Sequence, residues 1–176
     1  MAVDLAANQR LNMGGYATYE AFLRALVQRL RDGFGDGRIL ACAVFGSVAR
    51  GEAGPESDVD LLVVHDGMQP RPLERFVDLL PAIRASEEFR ALKARGLNPE
   101  PYPIFMTEKE LWEHPLILLD VLDHGIVLHD SGALRRRLEA LRKRLSELGS
   151  RKVELGDGGW YWDLKPDWKP GEVVEL

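Results

Sequence analysis

Leu40-Ala41-Cys42-Ala43-Val44-Phe45-Gly46-Ser47-Val48-Ala49-Arg50-Gly51-Glu52-Ala53-Gly54-Pro55-Glu56-Ser57-Asp58-Val59-Asp60-Leu61-Leu62-Val63-Val64, residues 40 to 64, is the stretch around which the chain is organised. An apolar run from Ile39 to Phe45 stops at Gly46-Ser47, a short polar turn follows, and a second apolar run opens with Asp58-Val59-Asp60. Apolar runs of this length, bounded by turn residues, predict two buried strands. Side chains in a strand alternate faces, so Asp58 and Asp60 project from one side and Val59 from the other. Two carboxylates thereby converge on one point. Like charges that close are costly unless a cation neutralises them, and hard oxygen ligands suit Mg²⁺, which is usually held by one or two carboxylates together with substrate phosphates.

The turn before the aspartates adds a place for an anion. At Gly46 the missing Cβ lets the backbone come close to a ligand, Ser47 supplies a hydroxyl, and the segment 47 to 51 can start a short helix whose free N–H groups favour negative charge. Arg50 can add a charged fork to phosphate oxygens. The bland alternative is a hairpin-like strand pair with a solvated, Asp-rich turn. Such a turn needs neither Gly-Ser at one strand end nor paired aspartates inside the next strand.

These residues resemble the DNA polymerase β-like nucleotidyltransferase superfamily, whose signature is Gly-Ser, a spacer, then Asp-x-Asp in a hydrophobic strand. Gly46-Ser47, Asp58 and Asp60 match it position by position, and Arg50-Gly51 match the frequent extension Gly-Ser-x-x-Arg-Gly. The chain looks most like the minimal nucleotidyltransferases, which lack the large accessory domains of polymerases and often pair with HEPN-type helical proteins. The resemblance implies a metal-dependent transfer of a nucleoside monophosphate from an NTP, with ATP as the first candidate, to an acceptor hydroxyl with release of pyrophosphate. It gives Asp58 and Asp60 the catalytic and metal-binding roles, with Mg²⁺ or Mn²⁺ as the ion. Gly46, Ser47 and Arg50 would bind the nucleotide phosphates. In one respect the chain departs from the pattern. Members that catalyse usually carry a third carboxylate on the strand after the crossover, yet Pro101-Tyr102-Pro103-Ile104-Phe105-Met106 contains none. Glu100 precedes that strand and Glu108 follows it. Loss of a general base typically costs about 10²–10⁴ in rate, which leaves a slow enzyme rather than none.

The remaining bulk properties narrow the class. With 176 residues, 45% hydrophobic and 29% charged, the chain suits a single globular domain with a small appendage. A net charge of −5 argues against a broad nucleic-acid surface, so polynucleotide is not the first substrate. The one cysteine, Cys42, lies in an apolar run and reads as a small core residue. His65, His114, His124 and His129 show no zinc-site spacing. Without a signal pattern or a run of 18 apolar residues, a cytoplasmic protein without membrane association is expected.

Taken in order, residues 1 to 15 read as a flexible leader, 16 to 150 as the nucleotidyltransferase domain, and 151 to 176 as a Trp-rich tail. Tyr19, Phe22, Leu23, Leu26, Val27 and Leu30 recur at helical spacing and predict an amphipathic helix on one sheet face. Pro72 suits the first position of a second helix, which Pro81 should kink or interrupt. A third strand is expected over Tyr102 to Met106, a capping box at Thr107 and Glu110, a break at Pro115 and a fourth strand at Ile126 to Leu128. The fold class is therefore α/β or α+β, a mixed sheet of about four strands with helices packed on it. Leu134, Leu138, Leu141, Leu145 and Leu148 make a narrow seam on a final helix, and Arg135, Arg136, Arg137, Arg142, Lys143 and Arg144 are expected on its solvated faces. Trp160, Trp162 and Trp168 crowd the turn-rich tail and call for burial against the domain or a homodimer partner.

Two functional classes follow. The first is the enzyme just described. The second is a nucleotide-binding, antitoxin-like module with weakened catalysis that acts on a HEPN-type partner protein, favoured by the missing carboxylate and the leucine seam. A polymerase or tRNA-end-adding enzyme fits less well, because no separate primer-binding domain fits in the remaining length.

Overall fold

The computed structural model describes residues 15–35, 37–67, 71–113, 115–156 and 159–176. The leader expected over residues 1 to 15 lies outside them, apart from Gly15. Helix α1 (Tyr16–Phe34) carries the amphipathic pattern, and its Tyr19, Phe22, Leu23, Leu26, Val27 and Leu30 are all buried. It leads to β1 (Ile39–Val44), the short helix α2 (Gly46–Arg50) and β2 (Val59–His65). The crossover is made of α3 (Pro72–Arg84) and α4 (Glu87–Ala94), after which come β3 (Pro101–Thr107), α5 (Glu108–Glu113), α6 (Pro115–His124) and β4 (Ile126–Asp130). Helix α7 (Ala133–Glu147) and the strands β5 (Arg151–Glu154) and β6 (Trp160–Asp163) complete the chain.

The first four strands form one sheet in the order β3-β2-β1-β4. β1 runs antiparallel to both β2 and β4, whereas β2 and β3 are parallel, so the sheet is mixed. A parallel neighbour requires a long return path, and the two crossover helices supply it. β1 and β2 lie at the centre, and their side chains are almost entirely buried. Cys42, Val44, Val59, Leu61 and Val63 join α1, α3 and α4 residues in one apolar cluster. Aromatic rings finish it, with Phe105 contacting Phe34, Phe76 and His65 at centroid distances of 5.7, 6.0 and 6.3 Å. Each large side chain so enclosed contributes about 1.5–3 kcal/mol, which makes this cluster the scaffold that fixes the β1–β2 connection.

Several local features follow the expected chemistry. Pro72 opens α3. Thr107 N–H donates to Glu110 Oε2 at 2.7 Å while Glu110 N–H donates to Thr107 Oγ1 at 3.2 Å, the reciprocal capping box that starts α5. Of the two effects expected of Pro81, interruption does not occur, since the residue stands inside α3. The ring removes the bond to the Val77 carbonyl, but Val77 and Pro81 are both on the exposed side, where water can serve that oxygen. The break comes instead at Ser86, whose Oγ accepts the Phe89 N–H at 3.2 Å and caps α4.

The chain divides into two compact units, Met1–Leu134 and Arg135–Leu176. In the second, α7 buries Arg137, Leu141 and Leu145. The expectation that Arg137 lies on a solvated face is therefore corrected. Position 137 is three residues from Leu134 and four from Leu141, so the buried stripe runs through the arginine rather than through the half-exposed Leu138. Within the same unit Arg144 Nε donates to the Glu175 carbonyl at 2.8 Å, bringing the chain's last residues onto α7. The tail is also more regular than its turn-rich sequence indicates, because β5 and β6 pair antiparallel. Lys152 Nζ lies 4.3 Å from the Trp160 ring centroid, and Trp168 Nε1 donates to the Glu172 carbonyl at 2.8 Å. Two of the indoles thus find partners inside the tail itself.

Candidate active site

The connection between β1 and β2 is built around a close approach. Phe45 N–H donates to the Asp60 carbonyl at 3.1 Å, the last bond before β1 turns away from β2. Gly46 then adopts φ = 66°, the left-handed region that glycine enters without a Cβ penalty. A Cβ built on Gly46 would collide with Asp60 Oδ2. Glycine is required here twice, for its backbone angle and for the room it leaves to the carboxylate. The two halves of the Gly-Ser and Asp-x-Asp pattern are thereby in direct contact, and what links them in space is the absence of a side chain.

Helix α2 begins at this glycine and ends at Arg50, where Gly51 with φ = 78° closes it in the left-handed conformation. Ser47 is half-buried on its first turn, and its carbonyl accepts the Glu52 N–H at 2.9 Å. Arg50 donates from Nε to Glu52 Oε2 at 2.8 Å, and its Nη1 lies 3.7 Å from Asp120 Oδ1. These carboxylates hold the guanidinium charge firmly, first through the Glu52 hydrogen bond. Asp58, just before β2, accepts from Asn98 Nδ2 at 2.9 Å, and Asn98 Oδ1 in turn accepts from Lys93 Nζ at 2.8 Å.

Asp60 is the electrostatic centre. Burial pushes its carboxyl above the usual range, the charges of Asp58 and Asp120 push it the same way, and Arg50 opposes them. Of the residues expected from sequence, Gly46, Asp58, Asp60 and Arg50 all bear on this one point, through contact or through charge. Asp120 and Asn98 were missed. Asp120 sits in the middle of an apolar helix and Asn98 is 40 residues from its partner, so no local pattern marks either.

The strand beside Asp60, β3, carries no carboxylate. β2 and β3 are parallel and Asp60 is in register with Tyr102, so both side chains leave the sheet on the same face. Tyr102 is 62% exposed there, so the strand position beside Asp60 presents a phenol and no carboxylate. Glu100 is engaged by Arg84, with N···O distances of 3.0 to 3.2 Å. Glu108 follows Thr107, which pairs with His65 at the far end of β2. At about 3.3 Å per residue that places it more than 15 Å along the sheet from Asp60.

Among the described residues no three His, Cys, Asp or Glu side chains are grouped so as to hold a metal ion by themselves. The donors nevertheless fit a hard divalent cation of the kind that takes part of its shell from phosphate. Asp58 and Asp60 supply oxygen only, and their mutual repulsion is the cost that a cation would remove. No helix among the described residues is long and apolar enough to cross a membrane.

A glycine turn thus abuts an Asp-x-Asp strand in a mixed sheet, with a serine and an arginine on the intervening short helix. The chain belongs to the nucleotidyltransferase domain family, which it matches over residues 23–156. No curated protein matches it. Among solved structures it is similar to a toxin–antitoxin crystallised with AMP-PNP, at 14% identity and a TM-score of 0.43, covering 73% of this chain and 92% of that one. It is also similar to a mutant of the toxin–antitoxin MntA–HpeT, at 12% identity and a TM-score of 0.42, covering 71% and 90%.

Proposed function

We propose that this protein is a metal-dependent nucleotidyltransferase that moves a nucleoside monophosphate from an NTP, ATP as the first candidate, to an acceptor hydroxyl and releases pyrophosphate. The observation that carries the reading is the close approach of Gly46 to the Asp60 carboxylate, which brings the start of α2 beside the paired aspartates. In this account Asp58 and Asp60 hold Mg²⁺ or Mn²⁺, which would neutralise charge on the phosphates and on the attacking and leaving oxygens. The start of α2 at Gly46 and Ser47 offers N–H groups and a hydroxyl to the β and γ phosphates, and Arg50 adds its guanidinium. Asn98 fixes one oxygen of Asp58, so that carboxylate keeps its orientation when the nucleotide is absent. Transfer of this kind depends chiefly on positioning and charge neutralisation, which a small domain can supply.

The exposed Tyr102 at the register position beside Asp60 supports a second reading. A site without a carboxylate there could bind nucleotide and metal while transferring slowly. The chain would then serve as an antitoxin-like module acting on a HEPN-type partner. One experiment separates the two: incubation with α-labelled ATP and Mg²⁺, followed by assay of pyrophosphate release and of label on the chain or on candidate acceptors. The enzyme reading expects release that vanishes in an Asp58→Ala, Asp60→Ala variant. Equal release by that variant would refute it, and binding without release would favour the module.

A further inference from the structure

Arg50 projects from a helix of five residues, too short to constrain a long side chain by itself. Its guanidinium instead meets two carboxylates, one just past the helix and one from a distant element. Glu52 holds Nε at 2.8 Å, and Asp120, contributed by α6, faces Nη1 at 3.7 Å. α6 packs against α2 and brings the carboxylate to the arginine from 70 residues further along the chain. Asp120 Oδ1 is buried and accepts no hydrogen bond among the described residues. A carboxylate oxygen removed from water, with a guanidinium as its only described ionic partner, is poorly explained as a surface charge.

We propose that Asp120 is a positioning residue for nucleotide binding: it and Glu52 hold the Arg50 guanidinium from two sides, so that the remaining donors of its fork are presented to the polyphosphate. The inference rests on the phosphate-binding role given to Arg50 above. A free arginine side chain has many rotamers, and part of that freedom is lost before the ligand arrives when two carboxylates already engage the group. The proposal runs against the simple expectation for the residue's charge. A carboxylate near a nucleotide repels the phosphates, so removing it should tighten binding unless it acts through the arginine.

The sign of the effect is therefore the test. The full chain is titrated calorimetrically with ATP and, separately, with AMP, each with Mg²⁺, using wild type, Asp120→Asn, Arg50→Ala and the double variant. Asp120→Asn is expected to weaken ATP binding about tenfold, with a several-fold smaller loss for AMP, which lacks the β and γ phosphates. In the Arg50→Ala background the same substitution should change little, because the residue through which it acts is gone. Asp120→Glu, which keeps the charge, should recover most of the ATP affinity. Unchanged or tighter ATP binding by Asp120→Asn overturns the inference, as does an equal loss with and without Arg50. A purely structural role would lower affinity for both nucleotides alike together with the melting temperature, which also overturns it. If the wild type binds ATP and depends on Asp58 and Asp60, such outcomes sink the role of Asp120 alone; no wild-type binding sinks the reading on which it rests as well.

Discussion

Replacing Gly46 with alanine probes the contact that joins the two halves of the site. Two costs combine at this position. A non-glycine residue held at φ = 66° carries about 1–2 kcal/mol of backbone strain. The new Cβ also collides with Asp60 Oδ2, so the carboxylate or the turn must shift, and overpacking of this kind adds about 1–3 kcal/mol. Gly51 supplies the control, because it has φ = 78° and nothing within 4 Å of its would-be Cβ. Gly51→Ala should therefore cost about 1–2 kcal/mol in urea denaturation and Gly46→Ala about 2–5 kcal/mol. In an Asp60→Ala background the colliding oxygen is gone and only the Asp60 Cβ remains, 3.4 Å away, so the excess cost of Gly46→Ala should largely disappear. If Gly46→Ala costs no more than Gly51→Ala, or its excess persists without the Asp60 carboxylate, the close approach does not organise this turn.

The raised Asp60 carboxyl gives a pH prediction. Its ordinary value is 3.8, and the folded chain holds the proton to higher pH, so stability falls as pH rises from 3.8 through the raised value. With a chelator present and no nucleotide, Asp60→Asn should melt higher than wild type at neutral pH, and its advantage should vanish below pH 3.8; a lower melting temperature at neutral pH would count against the charge cluster. Tyr102→Asp places a carboxylate beside Asp60 on the exposed face and should tighten Mn²⁺ binding about tenfold in titration, whereas no change would count against a metal held by Asp58 and Asp60 at this face. Burial pushes the Cys42 thiol up to about 12, so it should resist a thiol reagent at pH 8 until the protein is unfolded. Rapid labelling of the native chain would contradict its place in the central strand.

Much of the fold was legible because it is written in short-range patterns. The period of α1, the two apolar runs, the Thr107–Glu110 cap and the pairing of Asp58 with Asp60 each lie within a window where local geometry decides the outcome. What was not legible depends on tertiary packing. Pro81 continues a helix because its side of α3 faces water, which sequence alone does not disclose. Arg137 is drawn inside by its place in the buried stripe despite its charge. At the site, Asp120 and Asn98 come from distant elements and carry no motif. The gap left by the third carboxylate was visible in sequence, but only the β2–β3 register shows that Tyr102 occupies the adjoining position.

Calorimetric titration of the wild-type chain with ATP and with GTP, each with Mg²⁺, beside the Asp58→Ala, Asp60→Ala variant, tests the central claim most directly. Saturable wild-type binding that is abolished in the variant is the predicted result. Binding that survives loss of both carboxylates would place the nucleotide elsewhere, and a wild type that binds neither ATP nor GTP would contradict the assignment of this turn and strand to a nucleotide.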